Sequence, residues 1–307
     1  MTLAQLRAFV EVAATGSVRD AAAHLVVSQP AVSAAVAALQ RDLGVMLLTR
    51  DGRGIELTPA GHVFAGYARQ VLGLLDQGRA AAAGRVHPER GRVRLAAVTT
   101  AGEHVLPPFL AAFRTRYPEA EVVLEVGNRV RVWELLDYRE VDLVIGGRAP
   151  ADKRFVTHAT RPNPLVVVAA WRRPHVDEQA PREVAVEDMA GEVWLLREPG
   201  SGTRSTAEEL FEELGISPPT LTLGSNGAIR ESVRAGLGVT LISRDAVARD
   251  LASGGLEEWL WPGPSVSRAW HLVGSASESL TPTAALFLAG LVTPGELSGA
   301  EPFQRVG

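Results

Sequence analysis

Apolar side chains recur at helical spacing from the first residues of the chain. Leu3, Leu6, Phe9, Val10 and Ala13 share a face until Thr15-Gly16 stops the pattern, which predicts a first helix. Ser17-Val18-Arg19-Asp20 then has the S-x-x-D form of a capping box, and a short second helix should run to about Leu25. Ser28 is a further capping residue. Pro30 behind it falls in a first helical turn, where its missing N–H costs nothing and its fixed φ suits entry, so a third helix is predicted from about Gln29 to Leu43, ending at Gly44. The three residues Val26-Val27-Ser28 make the tight corner of a helix-turn-helix. Ala21, Ala22, Ala31 and Ala35 are small enough for the two helices to cross closely, and Val32, Val36, Leu39 and Leu43 form the inward stripe. Taken alone, such a pair also suits an ordinary alanine-rich helical core.

The next pattern is shorter. GVMLLTRDGRGIELTPAG predicts two β segments, Met46 to Arg50 and Gly54 to Thr58, around the turn Asp51-Gly52-Arg53, which together make a wing. Thr58-Pro59 opens a helix from 59 to about 84, roughly 40 Å long at ~1.5 Å per residue. Phe64, Tyr67, Val71 and Leu74 keep a 3-4-3 seam along it, and a long helix with one apolar seam needs a partner, most economically the same helix of a second subunit.

After the polar break His87-Pro88-Glu89-Arg90-Gly91 the period changes. A βα series is predicted with strand 92–98, helix 103–116, strand 121–126, helix 131–138 and strand 141–146. Arg161-Pro162-Asn163-Pro164 reads as a break before a second series: strands 165–170 and 193–196, helix 204–214, strand 220–224, helix 227–235 and strand 238–242. Beyond Pro262-Gly263-Pro264, a strand near 269–274 and a closing helix 282–292 return to the first series, so two crossings would join two lobes.

Composition narrows the chemistry. A chain of 307 residues exceeds the ~250 that one core usually spans, so two or three domains are expected. With no cysteine, thiolate metal sites, disulfides and cysteine nucleophiles are excluded, and the seven histidines form no i,i+4 pair, so no metal or other cofactor is implied. No apolar run is long enough to span a membrane, and Gln5, Arg7 and Glu11 stand where a signal peptide would be apolar, so a soluble cytoplasmic protein with no membrane partner is expected. The net charge of −4 argues against a globally basic nucleic-acid binder but leaves room for a local basic face. Within the head, five arginines (7, 19, 41, 50 and 53) meet five acids, and DNA binding there would depend on placed helix termini, a few arginines and doubling by dimerisation.

Two stretches could hold a small anion. Thr99-Thr100-Ala101-Gly102-Glu103 follows a strand and opens a helix; Thr100 to Glu103 has capping-box form, and both threonines could offer donors at a positive helix end. Capping and binding are compatible there. Arg197-Glu198-Pro199-Gly200-Ser201-Gly202-Thr203-Arg204 is a Gly-Ser-Gly turn into a helix, either a plain turn or an anion cradle with a guanidinium at hand. It is not a P-loop, because the only lysine of the chain is Lys153. Trp133, Trp194, Trp259, Trp261 and Trp270 read as core or interface, since none sits in a basic aromatic cluster.

The run LRAFVEVAATGSVRDAAAHLVVSQPAVSAAVAALQRDLGVMLLTR followed by IELTPAG resembles the winged helix-turn-helix head of LysR-type transcriptional regulators, densely over residues 3–72. Ala35, Gln40 and Leu48 depart from the family's usual glutamine, glutamate and phenylalanine. REPGSGTR and GSNGAIRESVRAGLGVTLIS resemble the branch that includes regulators of carbon fixation and of cysteine synthesis. The resemblance implies an α+β multidomain fold: a winged helix-turn-helix domain at 1–58, a dimerising linker helix and hinge at 59–90, and a bilobed α/β effector-binding domain at 91–307, like periplasmic binding proteins. Lobe I would comprise about 91–161 and 268–292, and lobe II about 162–267.

On this reading a non-enzymatic regulator binds double-stranded promoter DNA through Ser28, Gln29, Pro30, Ser33, Arg50 and Arg53. It pairs through Phe64, Tyr67, Val71 and Leu74 into a homodimer or a dimer of dimers, a homotetramer. A small, anionic effector would bind at Thr99, Thr100, Ser201, Gly202, Thr203 and Asn226 between the lobes. A solute-binding protein or enzyme built on the bilobed part alone would leave residues 1–84 without a role, and a regulator with a degenerate pocket is a third alternative.

Overall fold

The computed structural model describes residues 1–51, 54–171, 181–263, 265–276, 279–293 and 301–306. Three helices open the chain: α1 (Leu3–Thr15), α2 (Val18–Leu25) and α3 (Gln29–Leu43). Each junction has a local cause. Gly16 closes α1 in the left-handed region at φ 65°, Ser17 Oγ accepts from the Asp20 amide, and Ser28 Oγ accepts from the Ala31 amide with Pro30 in the first turn. The capping box expected at Ser17 is only half made, because the Asp20 carboxylate takes the Arg19 guanidinium. α2 and α3 meet at 107°. Their crossing buries Ala21, Ala22, Val32, Val36 and Leu39 with Phe9 and Val12 of α1. Two expectations are corrected there: Ala31 is exposed and takes no part in the crossing, and Leu43 is only half-buried at the helix end.

A two-stranded wing, β1 (Leu48–Asp51) and β2 (Gly54–Leu57), follows with antiparallel register Leu48 to Leu57. Gln40 Oε1 fastens it to α3 by accepting from the amides of Leu47 and Leu48. The long helix α4 (Pro59–Gly84) starts under a Thr58 cap, whose hydroxyl also donates to the Met46 carbonyl. Gly61 is required at that start: a Cβ there would lie 1.9 Å from the Leu47 carbonyl oxygen.

The remainder forms two α/β lobes. Lobe I contains β3 (Arg92–Val98), α5 (Leu106–Arg116), β4 (Glu121–Gly127), α6 (Arg129–Asp137) and β5 (Leu143–Gly146), with β3 parallel to both β4 and β5. A single strand, β6 (Phe155–Ala170), then runs out of lobe I into lobe II. Lobe II adds β7 (Arg182–Glu183), α7 (Val186–Gly191), β8 (Trp194–Leu196), α8 (Gly202–Leu214), β9 (Thr220–Thr222), α9 (Asn226–Arg234), β10 (Thr240–Ser243), α10 (Arg244–Ser253) and β11 (Leu256–Leu260). The chain returns along β12 (Ser267–Ser275), then α11 (Pro282–Val292) and β13 (Gln304–Arg305). One core lies on β3, β5 and α5 with Phe287 and Phe303, and another around Trp194, Leu210 and Trp259.

Three differences from the sequence reading have physical reasons. Arg161-Pro162-Asn163-Pro164 is not a break but the middle of β6, paired with β12 along Arg161 to Pro164. Alternate residues of a strand turn their N–H groups to opposite edges, so two prolines spaced by two both face the edge away from β12 and cost that ladder nothing. The helix after β3 starts earlier than 103. Thr100 already has helical dihedrals, and Ala101–Val105 form a π turn leading into α5, so the Thr100-to-Glu103 capping box does not form. Finally α7, α10, β7, β11 and β13 went unread, being short or lacking strong periodicity.

Candidate functional site

Two sites emerge, one on the head and one between the lobes. At the start of α3, Ser28, Gln29, Pro30 and Ser33 are all exposed, as the inward stripe Val32/Val36/Leu39 requires. Val26, in a left-handed C-cap at φ 55°, is 88% exposed beside them. Arg50 on β1 is exposed. Arg53 lies outside the described residues. The exposed surface of the head therefore offers a helix N-terminus, an amide and a hydroxyl at the start of α3 and a guanidinium on the wing, groups that suit base edges and phosphates.

Along α4 the expected seam splits. Tyr67, Val71 and Leu74 are exposed, and Val63 continues their stripe. Phe64 turns the other way, into the core of its own head, with its ring 5.6 Å from that of Phe9. A further face of α4, beside the exposed stripe, docks on lobe I. Arg69 stacks over Tyr138 at 5.2 Å, and Gly73 passes so near the corner after α6 that a Cβ would lie 2.3 Å from the Tyr138 carbonyl oxygen. Burial raises the Glu140 carboxyl above its ordinary range at that junction, against the pull of Arg69 and Arg131.

Between the lobes lies a cleft of about 880 Å³. Lobe I supplies Thr99 and Thr100, the Asn128–Arg129 start of α6, and Arg148. Lobe II supplies Arg197, Glu198 and the turn Gly200–Thr203, and the crossing strands add Asn163, Arg268, Trp270 and His271. The two stretches singled out in the sequence thus come to one cavity. Ser201 makes no side-chain cap, which leaves the first-turn amides of α8 open to the cleft. Asn226, expected to touch the effector, is instead buried outside the cleft lining and bridges the lobes: its Nδ2 donates to Thr100 Oγ1 at 2.7 Å, and its Oδ1 accepts from Arg197 at 2.8 Å. A second tie links Arg161 of β6 to Asp245, which also accepts from Trp270 Nε1 at 2.9 Å.

Four arginines of the cleft, 129, 148, 197 and 268, face two glutamates, 198 and 209. Glu198 binds Arg197 through both carboxylate oxygens, at 2.7 and 2.8 Å, and this holds its carboxyl below the usual range. Glu209 meets Arg268 at 3.3 Å. Burial, reinforced by Arg148, lowers the affinity of His271 for a proton, and its Nδ1 is buried without a partner among the described residues. Arg204, the guanidinium beside the Gly-Ser-Gly turn, is turned away from the cleft to Glu208, Thr222 and the Arg197 carbonyl. The cleft cations are instead Arg197, which directly follows β8 and opens the same stretch, and Arg129, Arg148 and Arg268 from three further segments of chain, whose convergence no local motif announces. Trp270, read as core or interface, is both buried and part of the cleft wall.

Residues 3–62 match the bacterial regulatory helix-turn-helix protein of the lysR family, and residues 87–293 match the LysR substrate binding domain. The HTH-type transcriptional regulator CbbR of Xanthobacter flavus is 37% identical over 284 residues, covering 92% of this chain and 84% of the relative. The RuBisCO operon transcriptional regulator of Acidithiobacillus ferrooxidans is 34% identical over 288 residues, covering 94% and 92%. Among solved structures, the Synechocystis PCC6803 CcmR regulatory domain in complex with 2-PG aligns with a TM-score of 0.57 and 29% identity, covering 64% of this chain and 94% of that one.

Proposed function

The chain belongs to the LysR family of transcriptional regulators, which are not enzymes, and on that premise we propose that its DNA binding is governed by a small anionic metabolite held between the two lobes. The observation that supports the ligand's charge is the cleft lining: arginines outnumber glutamates two to one, and an uncapped helix start opens beside them. CcmR, a relative in sequence and fold, takes 2-PG in its regulatory domain, and 2-PG is accordingly a first candidate here. Ligand in such a cleft contacts both lobes and so favours one lobe arrangement over another, which reaches the head through α4 because α4 is docked on lobe I.

The head would read promoter DNA with Gln29 and Ser33 in the major groove, with Ser28 and Pro30 near the backbone and Arg50 and Arg53 on phosphate or in the minor groove. Pairing through Tyr67, Val71 and Leu74, in a homodimer or dimer of dimers, would set two heads at successive grooves. Such a protein acts in the cytoplasm, where its promoter is. Among the described residues, no single helix is long and apolar enough to cross a membrane.

Calorimetry on the full chain tests the cleft, with 2-PG, phosphorylated sugars, nicotinamide nucleotides and sulfur-pathway acids as candidates. Thr203→Val keeps the shape of the α8 start but removes a hydroxyl, and it should weaken the true effector by ~0.5–3 kcal/mol while leaving effector-free DNA binding nearly unchanged. Equal affinity in Thr203→Val and wild type would place the ligand elsewhere.

A further inference from the structure

The Glu198–Arg197 fork has the geometry that a bound carboxylate would have, and both residues line the cleft. Arg197 is the fixed member. Its side chain is 10% exposed, NH1 is held by Asn226, and its carbonyl accepts from Arg204. Glu198 is the loose one: its side chain is 36% exposed, its carboxylate accepts from the Arg197 guanidinium and from its own backbone amide, and Gly200 two residues on is in the left-handed region at φ 88°. A carboxylate on the solvent side of an immobilised guanidinium can swing out, whereas the guanidinium cannot follow it.

We propose that Glu198 is an internal stand-in for the effector's anionic group, which competes with it for the Arg197 fork and yields the fork when ligand binds. The inference rests on the cleft reading above and adds to it a rule of selectivity. A singly charged carboxylate only replaces like with like and gains little from the exchange. A doubly charged phosphate exceeds the resident group in charge and in acceptor oxygens, so the fork favours phosphate esters over plain acids. The fork that the ligand would take over is itself tied to lobe I, since Arg197 NH1 donates to Asn226 Oδ1 and Asn226 Nδ2 donates to Thr100 Oγ1.

Inorganic phosphate and acetate are suitable probes, titrated calorimetrically into the full chain and into Glu198→Gln, Glu198→Asp, Glu209→Gln and Arg197→Gln/Glu198→Gln. Glu198→Gln should bind phosphate about tenfold tighter than wild type, a change of ~1.4 kcal/mol, and should make acetate binding measurable. Glu198→Asp, whose shorter arm holds the fork less well, should fall between the two and keeps the test alive if the glutamine variant does not fold. Glu209→Gln removes the same charge from the same cleft and should gain clearly less, and the double variant should lose the gain.

No gain in Glu198→Gln, a gain equalled by Glu209→Gln, or one that survives loss of Arg197 would overturn the proposal. Thr203→Val separates the two readings. Phosphate binding that it leaves untouched counts against the cleft as the site. Binding that it weakens, with Glu198→Gln no tighter than wild type, counts against the stand-in alone.

Discussion

Gln29 stands exposed on the first turn of α3, where an amide can meet an adenine edge with two hydrogen bonds. Gln29→Ala should therefore cost ~1–3 kcal/mol on DNA carrying the preferred base pair and almost nothing on unrelated DNA. Equal weakening on both sequences would make it a backbone contact. Arg50→Ala should instead weaken binding to every sequence and reduce the slope of log K against log salt by about one. An unchanged slope would leave Arg50 a solvated wing residue.

Three half-buried histidines bear on acid stability. Burial is the first cause that lowers the proton affinity of His104, His158 and His271 in the native state. The unfolded chain then binds these protons at higher pH than the folded one, so stability is full above the ordinary histidine value of about 6.5 and falls as pH drops through the depressed native values. Thermal denaturation should show Tm declining over that window, and a His158→Gln variant should flatten the decline. A Tm independent of pH there would mean that these side chains are not buried as neutral groups. At this scale the caps were legible, because Ser17, Ser28 and Thr58 act within three residues of themselves. Thr100 was not: its partner, Asn226, lies 126 residues away.

Between elements, α4 carries two different faces. Its exposed stripe of Val63, Tyr67, Val71 and Leu74 is the surface on which pairing would rest, and a carboxylate buried there would go unpaired. Val71→Asp should leave a monomer by sedimentation and abolish tight promoter binding while the cleft keeps its ligand. A Val71→Asp protein that stays dimeric would remove the stripe from the interface. The face docked on lobe I is set by close approach. Gly73→Ala drives a methyl against the Tyr138 carbonyl and should destabilise by ~1–3 kcal/mol, whereas Gly78→Ala, with nothing within 4 Å, should stabilise by up to ~1 kcal/mol. Thermal melts of the two variants shifting alike would show that α4 is not docked as described.

Helical periodicity revealed where α4 begins and ends but not which of Val63 and Phe64 faces outward, since adjacent apolar residues are both compatible with a seam. The prolines of β6 misled for a similar reason. Read along the chain they punctuate, and only the one-sided pairing with β12 shows why a strand tolerates them.

At the scale of the molecule, the order of parts was readable from the change of period, helices and one short wing to residue 84 and βα beyond it. The cleft was readable only in outline, because the donor-rich turns are local motifs while the arginines that set its charge converge from separate elements. What joins the parts is that α4 both carries the head and lies on lobe I, so on the proposed function a ligand that moved the lobes would move the head with them. The most direct measurement is a footprint of the full-length protein on its own upstream DNA as the effector identified by calorimetry is added, run in parallel for wild type and Thr203→Val. The extent of protection should change as ligand saturates the wild-type cleft, and the same change should need several-fold more ligand in the variant. A footprint that is identical with and without saturating ligand, or that responds at the same concentration in both proteins, would contradict control of DNA binding from the cleft.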